Sequence, residues 1–437
     1  MLSACPLISI TKVFKVFVMI SLLLIANASY SSQLLKNYTF TEQDAILVIE
    51  ENETTDKVLY QWRVSEKMIP ASLVKLLTTQ LSIAKWGLQH QFRTDFFRLG
   101  QELWVKGYGD PFLVSEELDV IADQLQQIGL QGITSINIDD RYFNDVLVPG
   151  HSKVDDPYNA PLSAVAANFN TVNLKRNGQQ LLSAESQTPL TSTAEKIAKS
   201  SSVNISAKPT RVNLKNRVNA QRHFAEILMH KLGSPSLEIN VDASLPNNAE
   251  LIYTHLNSHA LKDMLIGAMK YSNNFIANQL FLKLSETKGT QSLNFNSVEK
   301  YISKQLEQQY GWDEASSTNV ILNEGAGLSR QNRLSAKQID DVLLKLQANK
   351  ELLNRYSISG VSPSRDSTVY AHAKTGTLNG VSNFAGFLNV SGKRYRFVFM
   401  FNRPVPYGYR DRVLNSLAQE LLQQRSQQFP QQQITTN

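Results

Sequence analysis

Stretches with strand-like character stand at both ends of this chain, and what lies between them reads mainly as helix. Near the N-terminus, residues 45–49 and 58–63 flank a polar turn at 52–56, the pattern of a strand pair. Near the C-terminus, residues 373–378, 384–390 and 394–401 form three strand-like runs, the last two joined by Ser391-Gly392-Lys393 as a hairpin turn. A helix over 411–422 follows, with Val413, Leu414, Leu417 and Leu421 on one side. The arrangement predicts one sheet closed from the two termini with the middle of the chain inserted, an α+β fold of the helix/antiparallel sheet/helix kind.

The middle is long enough to hold more than one unit, since the chain has 437 residues. Residues 92–105 and 133–138 read as strands around a helix at 116–130 that carries Leu118, Ile121, Leu125 and Ile128. This is a βα-type insertion. Residues 169–216 are polar, with only short β-like pieces, and read as a small appendage. Helical spacing returns at 220–232, 261–284 and 334–346. The expected organisation is therefore 29–90 and 217–422 as the main domain, 91–168 as an inserted domain and 169–216 as a reduced insertion. The Gln-rich residues 423–437 are expected to be a disordered tail.

Residues 1–28 have their own logic. Lys12 and Lys15 precede an apolar run at 16–25, and Ala26-Asn27-Ala28 forms an A-x-A cleavage site, so a secretory signal peptide is expected. The only cysteine, Cys5, leaves with it. No later stretch is apolar and long enough to anchor the chain in a membrane. The balance of charge is mildly basic, +6 overall, without the Lys/Arg blocks that accompany nucleic-acid binding. The seven histidines show no His-Glu-x-x-His spacing, so neither a metal site nor another cofactor is expected.

Three short motifs carry chemistry. In Pro70-Ala71-Ser72-Leu73-Val74-Lys75, Ser72 and Lys75 lie one helical turn apart at the start of an apolar helix. There the free N–H groups favour developing negative charge, and a lysine held among apolar side chains can shed its proton and serve as a base. Tyr271-Ser272-Asn273-Asn274 falls inside the helical stretch 261–284, and Lys374-Thr375-Gly376-Thr377 opens the terminal sheet. Ser72 is the candidate nucleophile and Lys75 its base. Ser272 can relay a proton to a leaving amine, and Asn274 can hold Lys75 and a substrate amide. Lys374 and Thr375 suit a carboxylate, and Gly376 allows close backbone approach. The N–H groups of Ser72 and Thr377 are the expected oxyanion donors.

Ser-x-x-Lys, Ser-x-Asn and Lys-Thr-Gly in this order mark penicillin-binding proteins and serine β-lactamases. The chain resembles the type-4 (class C, low-molecular-mass) penicillin-binding proteins, serine D-alanyl-D-alanine carboxypeptidases and endopeptidases. Gly107-Tyr108-Gly109-Asp110-Pro111 is similar to their Gly-Asp-Pro loop. The segment Asn323-Glu324-Gly325-Ala326-Gly327-Leu328-Ser329-Arg330 resembles their (Asn/Asp)-Gly-Ser-Gly-Leu-Ser-Arg segment, and Asn383-Phe384-Ala385-Gly386-Phe387 continues the match. The resemblance implies the transpeptidase fold shared with serine β-lactamases and an inserted accessory domain. It also implies peptidoglycan stem peptides as substrate, β-lactams as covalent inhibitors and a periplasmic location. Substrate contacts are implied for Arg330, Asn379 and Ser367, and for an acid followed by an aromatic residue: Tyr158, with Asp155 or Asp156. The appendage after Asn168 and the segment between Ser367 and Lys374 are both shorter than the family's usual. A serine β-lactamase and a catalytically weak wall-binding protein of the same fold remain the alternatives.

Overall fold

The computed structural model describes residues 34–144, 146–152, 155–312, 320–358 and 369–428. The expected signal peptide and Ser367 lie outside them. In chain order, β1 (Asp44–Glu50) and β2 (Lys57–Trp62) lead through a 3-10 turn at Ala71–Leu73 into α1 (Val74–Trp86). Then come β3 (Arg93–Leu99), β4 (Glu102–Gly107), α2 (Ser115–Gln127) and β5 (Ser135–Asp139). A smaller group follows: β6 (Thr171–Asn177), β7 (Gln180–Ser183), α3 (Ser192–Ser200) and β8 (Thr210–Asn213). Next are α4 (Arg217–Lys231), β9 (Glu238–Asn240) and β10 (Glu250–Leu256). The helices α5 (Leu261–Lys270), α6 (Asn274–Lys283), α7 (Phe295–Tyr310) and α8 (Ala336–Leu346) precede β11 (Asn354–Ser357). The chain closes with β12 (Val369–Leu378), β13 (Val381–Val390), β14 (Lys393–Phe401) and α9 (Tyr409–Gln428).

The two chain ends meet as expected. Among the described residues the main sheet is antiparallel with the order β11-β12-β13-β14-β1-β2, and Asp44 pairs with Phe401 across β1 and β14. Alternation along β1 explains its two covered faces. Ala45, Leu47 and Ile49 point into a core shared with α1, α5, α6 and α8, whereas Ile46 and Val48 point into a second core closed by Val413, Leu414 and Leu417 of α9. Ser391 and Gly392 both have positive φ, the geometry of the tight β13–β14 turn.

The inserted sheet has the order β10-β3-β4-β5-β9, with β5 parallel to β4 and β9. It takes more of the chain than the sequence suggests. Phe224, Ile227 and Leu228 of α4 pack on it with Leu118 and Ile121 of α2, so α4, β9 and β10 belong to the insertion, not to the main domain as the boundary at 217 implied. The main domain resumes with α5. The polar appendage is an ordered three-stranded sheet, β7-β6-β8, whose Val172, Leu174 and Val212 pack against Ala194 and Ile197 of α3. At the other end α9 runs through Gln428, past the point where a disordered tail was expected to begin. Arg425 Nη1 fixes that last turn by donating to Val390 O at 2.6 Å and to Ser391 O. Residues 429–437 of the expected tail lie outside the described residues.

Candidate active site

Ser72 sits in the 3-10 turn that enters α1, and the turn is clamped from the sheet side. Asn383 of β13 donates to Ile69 O and Pro70 O at 2.9 and 3.0 Å, and Asn402 just past β14 accepts from Ile69 N at 2.6 Å. Gly376 of β12 packs against the same turn; a Cβ there would lie 2.7 Å from Pro70 O. Gly327 closes the other side with φ +89, where a Cβ would stand 1.9 Å from Ala71 O. Ala71 itself is fully buried with φ 49, a left-handed conformation that costs about 1 kcal/mol or more outside glycine. Ser72 therefore follows a residue that its surroundings hold in a strained conformation.

Lys75, one turn on, is 1 % exposed. Its Nζ lies 3.1 Å from Ser72 Oγ and donates to Asn274 Oδ1 and to Ala326 O, both at 2.7 Å. A neutral amine has two N–H bonds and one lone pair. With the two oxygens taking the hydrogens, the lone pair is left for the Ser72 hydroxyl proton. Burial lowers the Lys75 pKa well below the usual lysine value, and nearby Lys374 pushes it further down, against a smaller opposing pull from Glu324.

The carbonyl of Ala326 is held in place by Glu324, which is fully buried. The Glu324 carboxylate accepts from Ala326 N, Gly327 N and Asn332 Nδ2 at 2.9, 2.8 and 2.7 Å. Gly325 is fixed between the elements that carry the site, accepting from Thr78 of α1 and donating to Asn278 of α6, each at 2.8 Å. The similarity of this segment to the Gly-Ser-Gly-Leu-Ser-Arg pattern marks it in the sequence, but not that Glu324 orients the lysine's acceptor.

The second motif departs from expectation in its setting. The apolar spacing of 261–284 reads as one helix, yet the chain breaks between α5 and α6, and Ser272 stands in the break with φ 51. Asn273 caps α6 by accepting from Ile276 N at 3.1 Å, so Asn274 opens the helix facing Lys75. The break frees Ser272 to reach across to β12, where Lys374 Nζ donates to its Oγ at 3.0 Å and to Thr375 O at 2.9 Å. Burial lowers the Lys374 pKa to about 8, with help from the positive charge of Arg410. Arg410 is a site residue that nothing in the sequence marks: from the first turn of α9 its Nη1 donates to Thr377 Oγ1 at 2.7 Å.

The substrate-side candidates divide. Arg330 donates to Asn379 O, so these two are neighbours beside the Lys374 strand. Tyr158 comes close to the centre: its backbone oxygen accepts from Asn274 Nδ2 at 3.2 Å, and its ring stands half exposed. Asp155 is engaged elsewhere. Its carboxylate accepts from Ser202 N and Oγ and from Ser201 Oγ and pairs with Lys215 at 3.4 Å, tying the loop to the small appendage. Asp156 is the acid at Tyr158, accepting from its hydroxyl. A cleft of about 870 Å³ runs from Ser272 and Asn274 toward the insertion, with Tyr271, Phe112 and Arg211 on its walls.

Comparison with known proteins identifies the family and the fold. The profile of the D-Ala-D-Ala carboxypeptidase 3 (S13) family matches residues 32–419. The D-alanyl-D-alanine carboxypeptidase of Actinomadura sp. is 25% identical over 85% of this chain and 81% of its own length. D-alanyl-D-alanine carboxypeptidase DacB of Haemophilus influenzae is 31% identical over 42% of this chain, a match that spans 41% of that protein. The crystal structure of penicillin binding protein 4 from the same organism superposes with a TM-score of 0.66 at 23% identity, covering 88% of this chain and 97% of that one, which establishes the fold; that protein has also been solved complexed with a β-lactam. The chain belongs to the D-Ala-D-Ala carboxypeptidase 3 (S13) family.

Proposed function

We propose that this protein is a periplasmic serine D-Ala-D-Ala carboxypeptidase and/or D,D-endopeptidase that cleaves peptidoglycan stem peptides through an acyl-enzyme on Ser72 and is inhibited by penicillin. The observation that carries the reading is Lys75, a buried amine whose two carbonyl partners leave its lone pair for Ser72. Ser72 Oγ attacks the carbonyl carbon of the penultimate D-alanine while its proton passes to Lys75 Nζ. The oxyanion forms against the N–H groups of Ser72 and Thr377. As the C–N bond breaks, Ser272 gives its proton to the departing amine, and the proton that Lys75 took from Ser72 replaces it, leaving Lys75 neutral and Lys374 charged. Water then attacks the ester carbonyl, Lys75 takes the water's proton, and the C–O bond to Ser72 breaks as Ser72 recovers its own. Lys374, Thr375 and Thr377 receive the substrate's terminal carboxylate.

A penicillin presents the same carboxylate and carbonyl but keeps its leaving group tethered after attack, which obstructs water. The test is intact mass against time with benzylpenicillin, beside hydrolysis of a peptide ending in D-Ala-D-Ala. A penicilloyl adduct on Ser72 lasting minutes, with turnover of the peptide, is the expected result. Rapid return to free protein with bulk drug hydrolysis means a β-lactamase. Neither adduct nor turnover means a wall-binding protein.

A further inference from the structure

Phe169 occupies a backbone conformation that its side chain does not favour. Asn168, Phe169 and Asn170 have φ of 50, 61 and 52, three successive left-handed residues. Asparagine tolerates that region, but a bulky ring there is an outlier, and such strain persists only where the surroundings impose it. Here they do. Asn168 Oδ1 accepts from Ser115 N at 2.9 Å, Asn170 Nδ2 donates to Pro161 O at 2.8 Å, and Leu214 N donates to Asn170 O at 3.0 Å. These bonds fix the path of the backbone and do not call for a phenyl ring at its middle. The ring has its own setting. It is partly exposed and stands edge-on to Phe112 and Phe275, with 5.4 and 6.3 Å between centroids. With Phe112 it forms part of the wall of the 870 Å³ cleft.

The polar part of that wall carries little net charge. Arg211 donates to Glu185 and, through Nη1, to Thr171 Oγ1 at 2.9 Å, so its charge is already matched. Glu116, exposed in the first turn of α2, has no ion pair or side-chain hydrogen bond among the described residues. A carboxylate entering here would meet one spare acid and no unmatched cation. A purely apolar ligand would cover the acid and the ion pair without bonding to them. Aromatic surface beside fixed donors and acceptors suits a ligand with one apolar face and a rim of hydroxyl and amide groups. That is the chemistry of an N-acetylated amino sugar, and sugar hydroxyls can donate to Glu116.

We propose that the end of this cleft walled by Phe112, Phe169, Glu116 and the Arg211–Glu185 pair binds an N-acetylated amino sugar of the glycan strand that carries the acyl-donating stem. This rests on the proposed peptidase reading. With the leaving D-amino acid held at β12, the acyl side of the substrate leaves Ser72 past Asn274 and Tyr158, where the cleft begins. The stem lies between the scissile carbonyl and the sugar, so the sugar belongs beyond Tyr158, between the insertion and the appendage. A cleft of this size takes a ligand much larger than two terminal D-alanines. The appendage thereby has a task, since it supplies both Arg211 and Glu185.

The experiment measures D-alanine release from two substrates: an N-acetylated pentapeptide stem, and the same stem carrying its N-acetylglucosaminyl-N-acetylmuramyl disaccharide. Acetylation removes the terminal ammonium, so the two differ in the sugars and not in charge. Wild type is compared with F169L, which keeps apolar bulk but lacks the ring, and with E116A, an exposed substitution that spares the core. Wild type is expected to show the higher kcat/KM on the disaccharide substrate through a lower KM. Each variant is expected to cut that value by roughly twofold to tenfold while staying within about twofold on the bare stem. If F169L does not fold, E116A decides by the same comparison. Equal kcat/KM of wild type on the two substrates overturns this proposal alone, as does an equal loss on both in the variants. No release from either substrate by wild type overturns the peptidase reading and this proposal with it.

Discussion

Lys75 and Lys283 are both buried, and each holds its ammonium nitrogen against a backbone carbonyl, Ala326 O at 2.7 Å for the one and Tyr108 O at 2.6 Å for the other. They part company in what else surrounds them. Lys283 pairs with the Glu286 carboxylate at 2.9 Å and lies over the rings of Phe92 and Tyr142, each 5.4 Å to the centroid. Lys75 meets a hydroxyl and an amide oxygen, and its one influential carboxylate, Glu324, spends its hydrogen bonds on the backbone of the loop between them. Burial lowers both pKa values, but Glu286 pulls that of Lys283 back up while Lys374 drives that of Lys75 further down. Burial alone thus does not make a lysine a base. What matters is whether a carboxylate is close enough to hold the proton in place.

The sharpest break of this comparison is by substitution. Lys75→Ala should cut kcat/KM for a D-Ala-D-Ala peptide by about 10²- to 10⁴-fold, as loss of a general base does, while the denaturation midpoint stays near that of the wild type. A large loss of stability with modest loss of rate would place Lys75 in the same class as Lys283. Lys283→Met should do the opposite. It leaves Glu286 and Tyr108 O without their cation, so it should destabilise by about 2 kcal/mol in urea unfolding and change kcat less than Lys75→Ala does. The smallest effect concerns pH. Lys75 must be neutral to accept a proton, so kcat/KM should rise with pH through its lowered pKa. Lys374 must be charged to bind a carboxylate, so kcat/KM should fall as pH climbs past about 8. Glu324→Gln removes a charge that raises the Lys75 pKa and should move the rising limb to lower pH by less than about one unit. A limb that moves upward instead would contradict the electrostatic account of Lys75.

Much of this site can be read in the chain. The three motifs stand out as short strings because each needs fixed residue types at fixed spacing, and the outer strands are visible because both faces of β1 are apolar. The parts that cannot be read depend on distant partners. The break at Ser272 is hidden since Met269 and Phe275 keep the helical apolar spacing on either side of it. The membership of α4, β9 and β10 in the insertion hangs on the packing of α4 with α2 and on the pairings of β9 with β5 and of β10 with β3, whose residues are far apart in sequence. Asp155 reads as well as Asp156 for the acid at the cleft until Ser201 and Ser202 arrive from the appendage to claim it. Arg410 is one of several arginines near the C-terminus, and only the fold brings it to Thr377.

The pairing of Asp44 with Phe401 has a consequence in time. A chain made from its N-terminus presents the nucleophile's helix early and the Lys374 strand near the end. The insertion from β3 to β10 is continuous in sequence and can collapse on its own pairings, but β1 waits for β14 before its inner edge is covered. Contacts of such long range are slow to form and leave strand edges exposed meanwhile. The turn that carries Ser72 therefore gains the clamp of Asn383 and Gly376 only once the last strands of the chain have joined the sheet that its first strand began.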